Sequence, residues 1–225
     1  MKVWVLIPAY NEEKTLGEIL EVLNEKGLFT LVVDDGSTDR TLEVAKEKNV
    51  VLIRNKRNSG KGVSLKNGIG YLLANKELEY IIIMDADSQH SPLDLDKFLE
   101  QAKNGESFVV GNRMKQPSGM PLIRIFTNRF MSWVISKIIK QEIPDTQCGF
   151  RLIKKTVLEN ITIETDKYQI ESEILIKAAN KGVRIKSIPV RSIYSKDTKS
   201  KINPVKDTLR FIRFILNLNY GKKQL

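Results

Sequence analysis

Ile81-Ile82-Ile83-Met84-Asp85-Ala86-Asp87-Ser88-Gln89-His90 is an apolar run that stops abruptly at two carboxylates one residue apart. A β-branched run bounded by polar residues suits a strand buried on both faces, as in a parallel sheet covered by helices. The carboxyl end of such a strand is where these sheets bind ligands. Asp85 and Asp87, separated only by the small Ala86, offer hard oxygen ligands to a divalent cation. Such a cation also draws on phosphate oxygens and water. Taken alone, the two acids read more readily as solvated turn residues, or as a cap for the helix beginning near Ser91-Pro92, because turns favour Asp. The neighbouring segments change that balance.

Upstream, the same pattern of strand, polar turn and helix repeats. Lys2 to Ile7 is a short strand broken by Pro8-Ala9-Tyr10-Asn11-Glu12-Glu13, and a helix follows to about Lys26 with Leu16, Ile19, Leu20 and Leu23 on one face. Leu28 to Val33 is a second strand, ending in Asp34-Asp35-Gly36-Ser37-Thr38-Asp39, and a helix runs on to Lys48. Val50 to Ile53 is a third strand, after which Asn58-Ser59-Gly60-Lys61-Gly62 opens a helix through Ala74. This alternation predicts an α/β fold, a Rossmann-like, doubly wound and mostly parallel sheet with helices on both faces.

In such a sheet Pro8, Asp34-Asp35, Asn55 and Asp85-Asp87 share one edge and can converge on one ligand. Tyr10 offers an aromatic face, Asp35 an acceptor for a base or ribose, and Lys61 a cation. Singly, Pro8 and Gly36 also fit plain turn chemistry, and Asp39 an N-cap. Neither a Gly-x-x-x-x-Gly-Lys-Ser/Thr loop nor a Gly-x-Gly-x-x-Gly after the first strand occurs, so P-loop and NAD-type readings lose support.

Downstream, a helix from about Leu93 to Lys103 leads to a fifth strand, Ser107 to Gly111, ending in Gly111-Asn112-Arg113. An arginine at that edge can pair with a phosphate. Met120 to Gln141 reads as one long helix or two short ones, with Leu122, Ile125, Phe126, Phe130, Trp133, Val134, Ile138 and Ile139 apolar and Arg124, Arg129, Lys137 and Lys140 basic. It is either a core helix with a solvated face or an interfacial helix facing anionic lipid. Asp145-Thr146-Gln147-Cys148-Gly149-Phe150-Arg151 is a turn entering a strand; Tyr168 to Asn180 is helical, with Glu171 and Glu173 near its start; Val183 to Val190 is a strand. A polar loop from Ser195 to Lys201 precedes a basic amphipathic helix over about 204–218, too apolar for an ordinary surface helix.

The 225 residues, 41% of them hydrophobic, suit a single domain spanning 1–225 with a good core. The lone Cys148 excludes an internal disulfide framework and fits a reducing compartment. Lys2 leads directly into the first strand, and no apolar run reaches the roughly 18 residues of a membrane span. The expected location is therefore the cytoplasm, with peripheral attachment to the cytoplasmic face of the membrane. From Lys177 onward, 13 Lys and Arg face two acids, whereas the first 176 residues hold 24 basic and 25 acidic side chains. The net charge of +10 is thus a C-terminal feature, which implies an anionic partner.

Five segments together resemble the family 2 glycosyltransferases with the GT-A fold, especially the branch that makes dolichyl- or polyprenyl-phosphate sugars. They are Ile7-Pro8-Ala9-Tyr10-Asn11-Glu12, Val33 to Asp39, Asp85 to His90, Gly111-Asn112-Arg113 and Asp145 to Arg151, and the likeness runs from Val3 to about Phe214. The resemblance implies that Pro8, Tyr10, Glu12 and Asp35 hold the nucleoside, while Asp85, Asp87 and Gln89 surround a metal, Mg2+ or Mn2+, and the donor diphosphate. Arg113 would help neutralise that diphosphate. Arg191 and the Ser200-Lys201 pair look like the family's late basic motif near the donor and acceptor phosphates, although Asp197-Thr198-Lys199 departs from the glycine often found there.

The implied reaction is inverting transfer of mannose or glucose from a GDP- or UDP-sugar to a polyprenyl phosphate, with the cation at Asp87 and Arg113 stabilising the leaving group. A phosphate monoester, with a second pKa near about 6, is already ionised at neutral pH and needs no carboxylate base. It needs positive charge, which the C-terminal segment supplies. Transfer to a saccharide or protein hydroxyl would instead require a base, with Glu171 or Glu173 as candidates. His90 could ligate the metal or stand behind it. A non-enzymatic basic module remains a third reading, but the paired acids and the acidic first half speak against nucleic acid as its partner. Without a membrane span, the protein would reach its lipid peripherally, through Met120 to Lys140 and Pro204 to Leu218, or with an integral membrane partner.

Overall fold

A computed structural model describes residues 1–117, 119–167, 169–193 and 211–215. The strands are β1 (Val3–Ala9), β2 (Phe29–Asp34), β3 (Val51–Arg54), β4 (Tyr80–Ile83), β5 (Phe108–Asn112), β6 (Arg151–Lys154) and β7 (Ile185–Pro189). Between them run α1 (Leu16–Glu25), α2 (Thr41–Lys46), α3 (Lys61–Leu73), α4 (Leu95–Lys103), α5 (Leu122–Ile139), α6 (Lys155–Glu159) and α7 (Gln169–Asn180). A short 3-10 turn, Pro92–Asp94, leads into α4. Residues 211–215 are helical, and Phe211 is buried.

The strands form one sheet in the order β3-β2-β1-β4-β6-β5-β7. β1 lies parallel to both β2 and β4, with Trp4 opposite Phe29 on one side and Ile81 on the other. β2 and β3 are parallel, as are β5 and β7. β6 alone runs against its neighbours β4 and β5. The sheet is thus mixed and mostly parallel: β1 to β4 are parallel, as the alternation over the first 90 residues predicted. The exception is the strand that follows the long α5 excursion.

Every residue of β4 is buried, and because successive side chains point to opposite faces, both faces of the sheet are covered there. That explains why the strand reads as a continuous apolar run rather than an alternating one. α3 lies very close to β1 and β2: a Cβ on Gly68 would collide with a methyl of Leu6 and stand 3.1 Å from Val33 Cγ2. The long helix expected over 120–141 is continuous; Lys140 closes it in the left-handed region, with φ 56°.

The order reverses at β1, whose two neighbours lead away in opposite directions of the chain, which is the switch point where α/β sheets open a crevice. The ends of β1, β2, β3, β4, β5 and β7 and the beginning of the reversed β6 all face that one edge. The polar loop Ser195–Lys201 lies outside the described residues, as does all of the expected 204–218 helix except 211–215.

Candidate functional site

The loop after β1 is locked to its neighbours by short polar bonds. Asn11 adopts φ 53°, a left-handed conformation that Asn tolerates better than most residues. Its amide N–H donates to Ser37 Oγ (3.0 Å), and its Oδ1 accepts from Thr38 N (2.9 Å). Glu12 N donates to Thr41 Oγ1 (2.7 Å) while Glu12 O accepts from Thr15 N and Leu16 N, opening α1. Thr15 Oγ1 donates to the carbonyl of Ala86 (2.7 Å), tying this loop to the Asp85–Asp87 turn across the β1/β4 crevice. Pro8, Tyr10, Glu12 and Ala86 are thereby brought to one place.

Asp34 and Asp35 have different tasks. Asp34 is fully buried; its Oδ1 accepts from Ser37 N and Oδ2 lies 3.2 Å from Arg54 Nε, so it shapes the turn. Asp35 holds the loop after β3: Oδ1 accepts from Asn55 Nδ2 (2.7 Å) and Ser59 N (3.1 Å), and Oδ2 from Gly60 N (2.8 Å). A carboxylate offers about four lone-pair sites, and these bonds occupy three of them. Asp39 Oδ1 accepts from Thr41 N (2.9 Å), but the N-cap position of α2 falls on Arg40, so Asp39 braces the turn before the helix and is not the N-cap that its position suggested.

The centre of the site is ionic. Lys61, the first residue of α3, places Nζ 2.5 Å from Asp85 Oδ1 and 2.9 Å from Glu171 Oε1. His90 Nε2 lies 3.6 Å from Asp85 Oδ2. Gly149 closes the remaining side: a Cβ there would stand 2.6 Å from Asp85 Oδ2 and 3.1 Å from Glu171 Oε1. Burial by itself would raise the Asp85 pKa, but the Lys61 ammonium and then His90 outweigh it and hold the carboxyl well below the usual range. Burial likewise opposes the charge on Lys61, and the two carboxylates overcome it, keeping the ammonium protonated far above its ordinary range.

Asp87 is in the opposite situation. Burial, and then repulsion from Asp85, push its pKa up. Its Oδ1 accepts from Gln89 N (3.0 Å) across Ser88, which adopts φ 55°. Gln89 itself is buried, and the chain beyond β7 is joined to this turn by Ile193 N donating to Gln89 O (3.1 Å) and by the His90–Ser192 bridge.

These residues fit a hard divalent cation in one specific sense. Among the described residues no three His, Cys, Asp or Glu side chains converge to hold a metal by themselves. Asp87 is nevertheless a carboxylate whose charge is disfavoured by its surroundings, a penalty that a bound cation would relieve. A cation at a single carboxylate would need further oxygens, of the kind that diphosphate and water supply.

Three of the arginines and lysines named from sequence have distinct placements. Arg113 is buried and grips Asp145, with Nε to Oδ2 at 2.8 Å and Nη2 to Oδ1 at 3.0 Å, while its main-chain N–H also donates to Oδ2. Burial opposes the Asp145 charge, but Arg113 lowers its pKa. Arg191 turns toward Asp94, with Nη2 3.3 Å from Oδ1 and its main-chain N–H 2.7 Å from Oδ2. Lys61 faces Asp85 and Glu171, as described. Lys201 lies outside the described residues.

Three contributors were not singled out by sequence for what they do here. Asp145 anchors Arg113 from 32 positions away. Asn55 links Asp35 to Ser64 Oγ (3.0 Å) and accepts from Asn67 Nδ2 (2.8 Å). Arg151, fully buried, donates to the carbonyls of Thr146 (2.8 Å), Cys148 (2.9 Å) and Glu171 (2.5 Å), fastening the 145–149 turn to the start of α7. Each stands inside or beside a motif, but its partner does not show in local sequence.

Residues 4–162 match the model of glycosyl transferase family 2. The chain is 34% identical to a dolichol-phosphate mannosyltransferase of Pyrococcus furiosus over 79% of this chain and 53% of that protein. It is 27% identical to a UDP-N-acetylglucosamine–dolichyl-phosphate N-acetylglucosaminyltransferase of Methanococcus voltae, over 98% of this chain and 97% of that one. Among solved structures, a glucosyl-3-phosphoglycerate synthase of Mycobacterium tuberculosis in complex with Mn2+, UDP and phosphoglyceric acid superposes with a TM-score of 0.73. It is 19% identical, and the match covers 96% of this chain and 78% of that one.

Proposed function

Since this chain belongs to glycosyl transferase family 2 and is a glycosyltransferase with the GT-A fold, we propose that it moves a hexose or N-acetylhexosamine from a nucleoside-diphosphate sugar to a polyprenyl phosphate. The reading that made it a non-enzymatic basic module falls with family membership.

The observation that carries the choice of acceptor is the state of the two candidate bases. Glu171 is held by Lys61, and Glu173, only 1% exposed, accepts from Glu164 N (2.9 Å), Thr165 N (2.9 Å) and Thr165 Oγ1 (2.6 Å) and pairs with Lys177. Neither is disposed to take a proton from a hydroxyl. A phosphate monoester is ionised already and requires none. The dolichyl-phosphate acceptors in the names of two relatives agree with this.

In this mechanism Asp35 and the Tyr10–Glu12 loop hold the nucleoside at the switch point, and Asp87 with Gln89 would hold a divalent cation. That cation would stabilise the charge of the departing nucleoside diphosphate. The acceptor phosphate oxygen attacks the anomeric carbon from the far side as the bond to the diphosphate breaks, so configuration inverts. Arg113 and Asp145 fix the β5 end of the pocket.

For access to a lipid, α5 is the segment we assign to the membrane surface. Leu122, Ile123, Phe126, Phe130 and Trp133 are exposed on it, Phe126 by 67% and Trp133 by 60%, and Arg129, Lys137 and Lys140 are exposed beside them. Large apolar side chains among basic ones suit an anionic interface. No helix among the described residues is long and apolar enough to cross a membrane.

The test is an organic-phase extraction assay with labelled UDP- and GDP-sugars, Mg2+ or Mn2+, and polyprenyl phosphate present or withheld. Label reaching the organic phase only with both lipid phosphate and metal supports the proposal and names the sugar. Nucleotide release without a lipid product moves the acceptor to a hydroxyl compound.

A further inference from the structure

Lys61 sits where a divalent cation would have to compete with it. Its ammonium touches Asp85 Oδ1 and Glu171 Oε1, carboxylate oxygens brought together from the end of β4 and the first turn of α7. Asp85 Oδ2 is enclosed by His90 and by the main chain at Gly149. One of the two acids of the Asp-Ala-Asp motif is therefore already neutralised by a cation belonging to the protein.

The fold goes to some length to put that cation there. Lys61 is the first residue of α3, and Gly60 before it has φ 100°, a conformation unfavourable for any side-chain-bearing residue. A Cβ on Gly62 would collide with the main chain at Asp166 and stand 2.5 Å from Lys167 N, so only glycine lets the 164–167 strap lie over the start of α3. The strap is held down by Glu173, and Lys66 pairs with Asp166 at 2.7 Å. The Lys61 side chain is 17% exposed and pairs with both carboxylates.

We infer that Lys61 is an internal counter-cation that holds Asp85 and Glu171 away from metal ligation until a nucleoside diphosphate supplies oxygens of its own. The empty protein then presents Asp87 as its one available carboxylate in the motif, and binds metal weakly. Metal and donor are taken up together rather than in sequence, because the diphosphate provides the ligands that Lys61 withholds. Lys61 is in these terms a positioning residue acting through Asp85. The inference rests on the donor-site reading given above and adds to it an order of binding.

The experiment measures Mn2+ affinity by titration calorimetry, and by the spectroscopic signal of free Mn2+, for the protein alone and with UDP or GDP. Lys61→Met should tighten Mn2+ binding to the nucleotide-free protein by about tenfold, within the usual range for linked equilibria, and shrink the gain on adding nucleotide. Lys61→Arg keeps the charge and should leave the empty protein weak. Asp85→Asn offers a route that does not depend on how Lys61→Met folds: it should change nucleotide-free Mn2+ affinity less than about twofold, whereas Asp87→Asn should remove it. Equal losses from Asp85→Asn and Asp87→Asn, or no tightening in a folded Lys61→Met, overturn the inference while leaving the donor site standing. Absence of Mn2+ binding by the wild type even with nucleotide overturns both.

Discussion

Arg113 and Asp145 form a two-pronged ion pair across 32 residues of sequence, with neither side chain more than 4% exposed. The pair joins the end of β5 to the turn that introduces β6, the one reversed strand. Removing one member of a buried pair takes from the other its two-pronged counter-charge. Asp145→Ala is therefore expected to cost about 3–5 kcal/mol, read as a lowered denaturation midpoint. Arg113→Lys, which cannot reproduce the fork, should recover only part of the stability.

The same pair has a pH signature. The Asp145 carboxyl is depressed below its unfolded value near 3.8, so its contribution is complete above that pH and is lost as pH falls toward the folded value. Acid unfolding of the wild type, followed by circular dichroism, should include a component below about pH 4 that an Asp145→Asn variant lacks. Identical acid limbs in the two proteins would show that Arg113 does not lower the carboxyl.

Asp87→Asn should reduce turnover by about 100-fold or more, the scale of removing one electrostatic stabiliser, with the melting temperature held or raised. The direction of the stability change follows from burial and Asp85 repulsion, which disfavour the native charge at Asp87. Retained activity would remove the metal from this position.

Phe126 and Trp133 contribute little to the fold, being mostly exposed. Replacing both with Ser should leave thermal stability within about 0.5 kcal/mol. Flotation with anionic vesicles should nonetheless fall steeply, since each large apolar side chain withdrawn from a membrane forfeits about 1.5–3 kcal/mol. Trp133 offers its own readout, a blue shift of fluorescence on vesicle binding in the wild type.

Cys148 is fully buried and its thiol is pushed up to about 12, chiefly by burial. Because the thiolate is the reactive form, an aromatic disulfide reagent at pH 8 should label the native protein very slowly and the unfolded protein at once. Fast labelling of the folded enzyme would show that the 145–151 turn opens readily.

Much of this architecture is written locally. The isoleucine run of β4 declares a strand covered on both faces, and Leu16, Ile19, Leu20 and Leu23 declare the buried stripe of α1; all are buried as expected. The Asp34–Asp39 and Asp85–His90 turns follow directly on apolar strands, which places them at the carboxyl edge once the sheet is taken as parallel. The single reversed strand was not legible, because Arg151–Lys154 is only four residues long and nothing in so short a segment encodes direction. The apolar residues of α5 were visible, but which of them face outward depends on how the helix sits against α7 and the sheet.

The sequence by itself determined the inventory of the site: acids at strand ends, a lysine between two glycines, an arginine after β5, and the order in which they occur. Hydrophobic periodicity and turn chemistry act over a few residues, and they suffice for that. Tertiary structure alone decided which charges meet. Lys61 could have faced a ligand, and it faces Asp85 and Glu171; Arg113 lies against Asp145, and Arg191 against Asp94. Pairings of this kind are set by where distant elements come to rest in a close-packed interior, and burial requires each charge to find either an opposite charge, as Arg113 does, or a set of hydrogen-bonding groups, as Arg151 does.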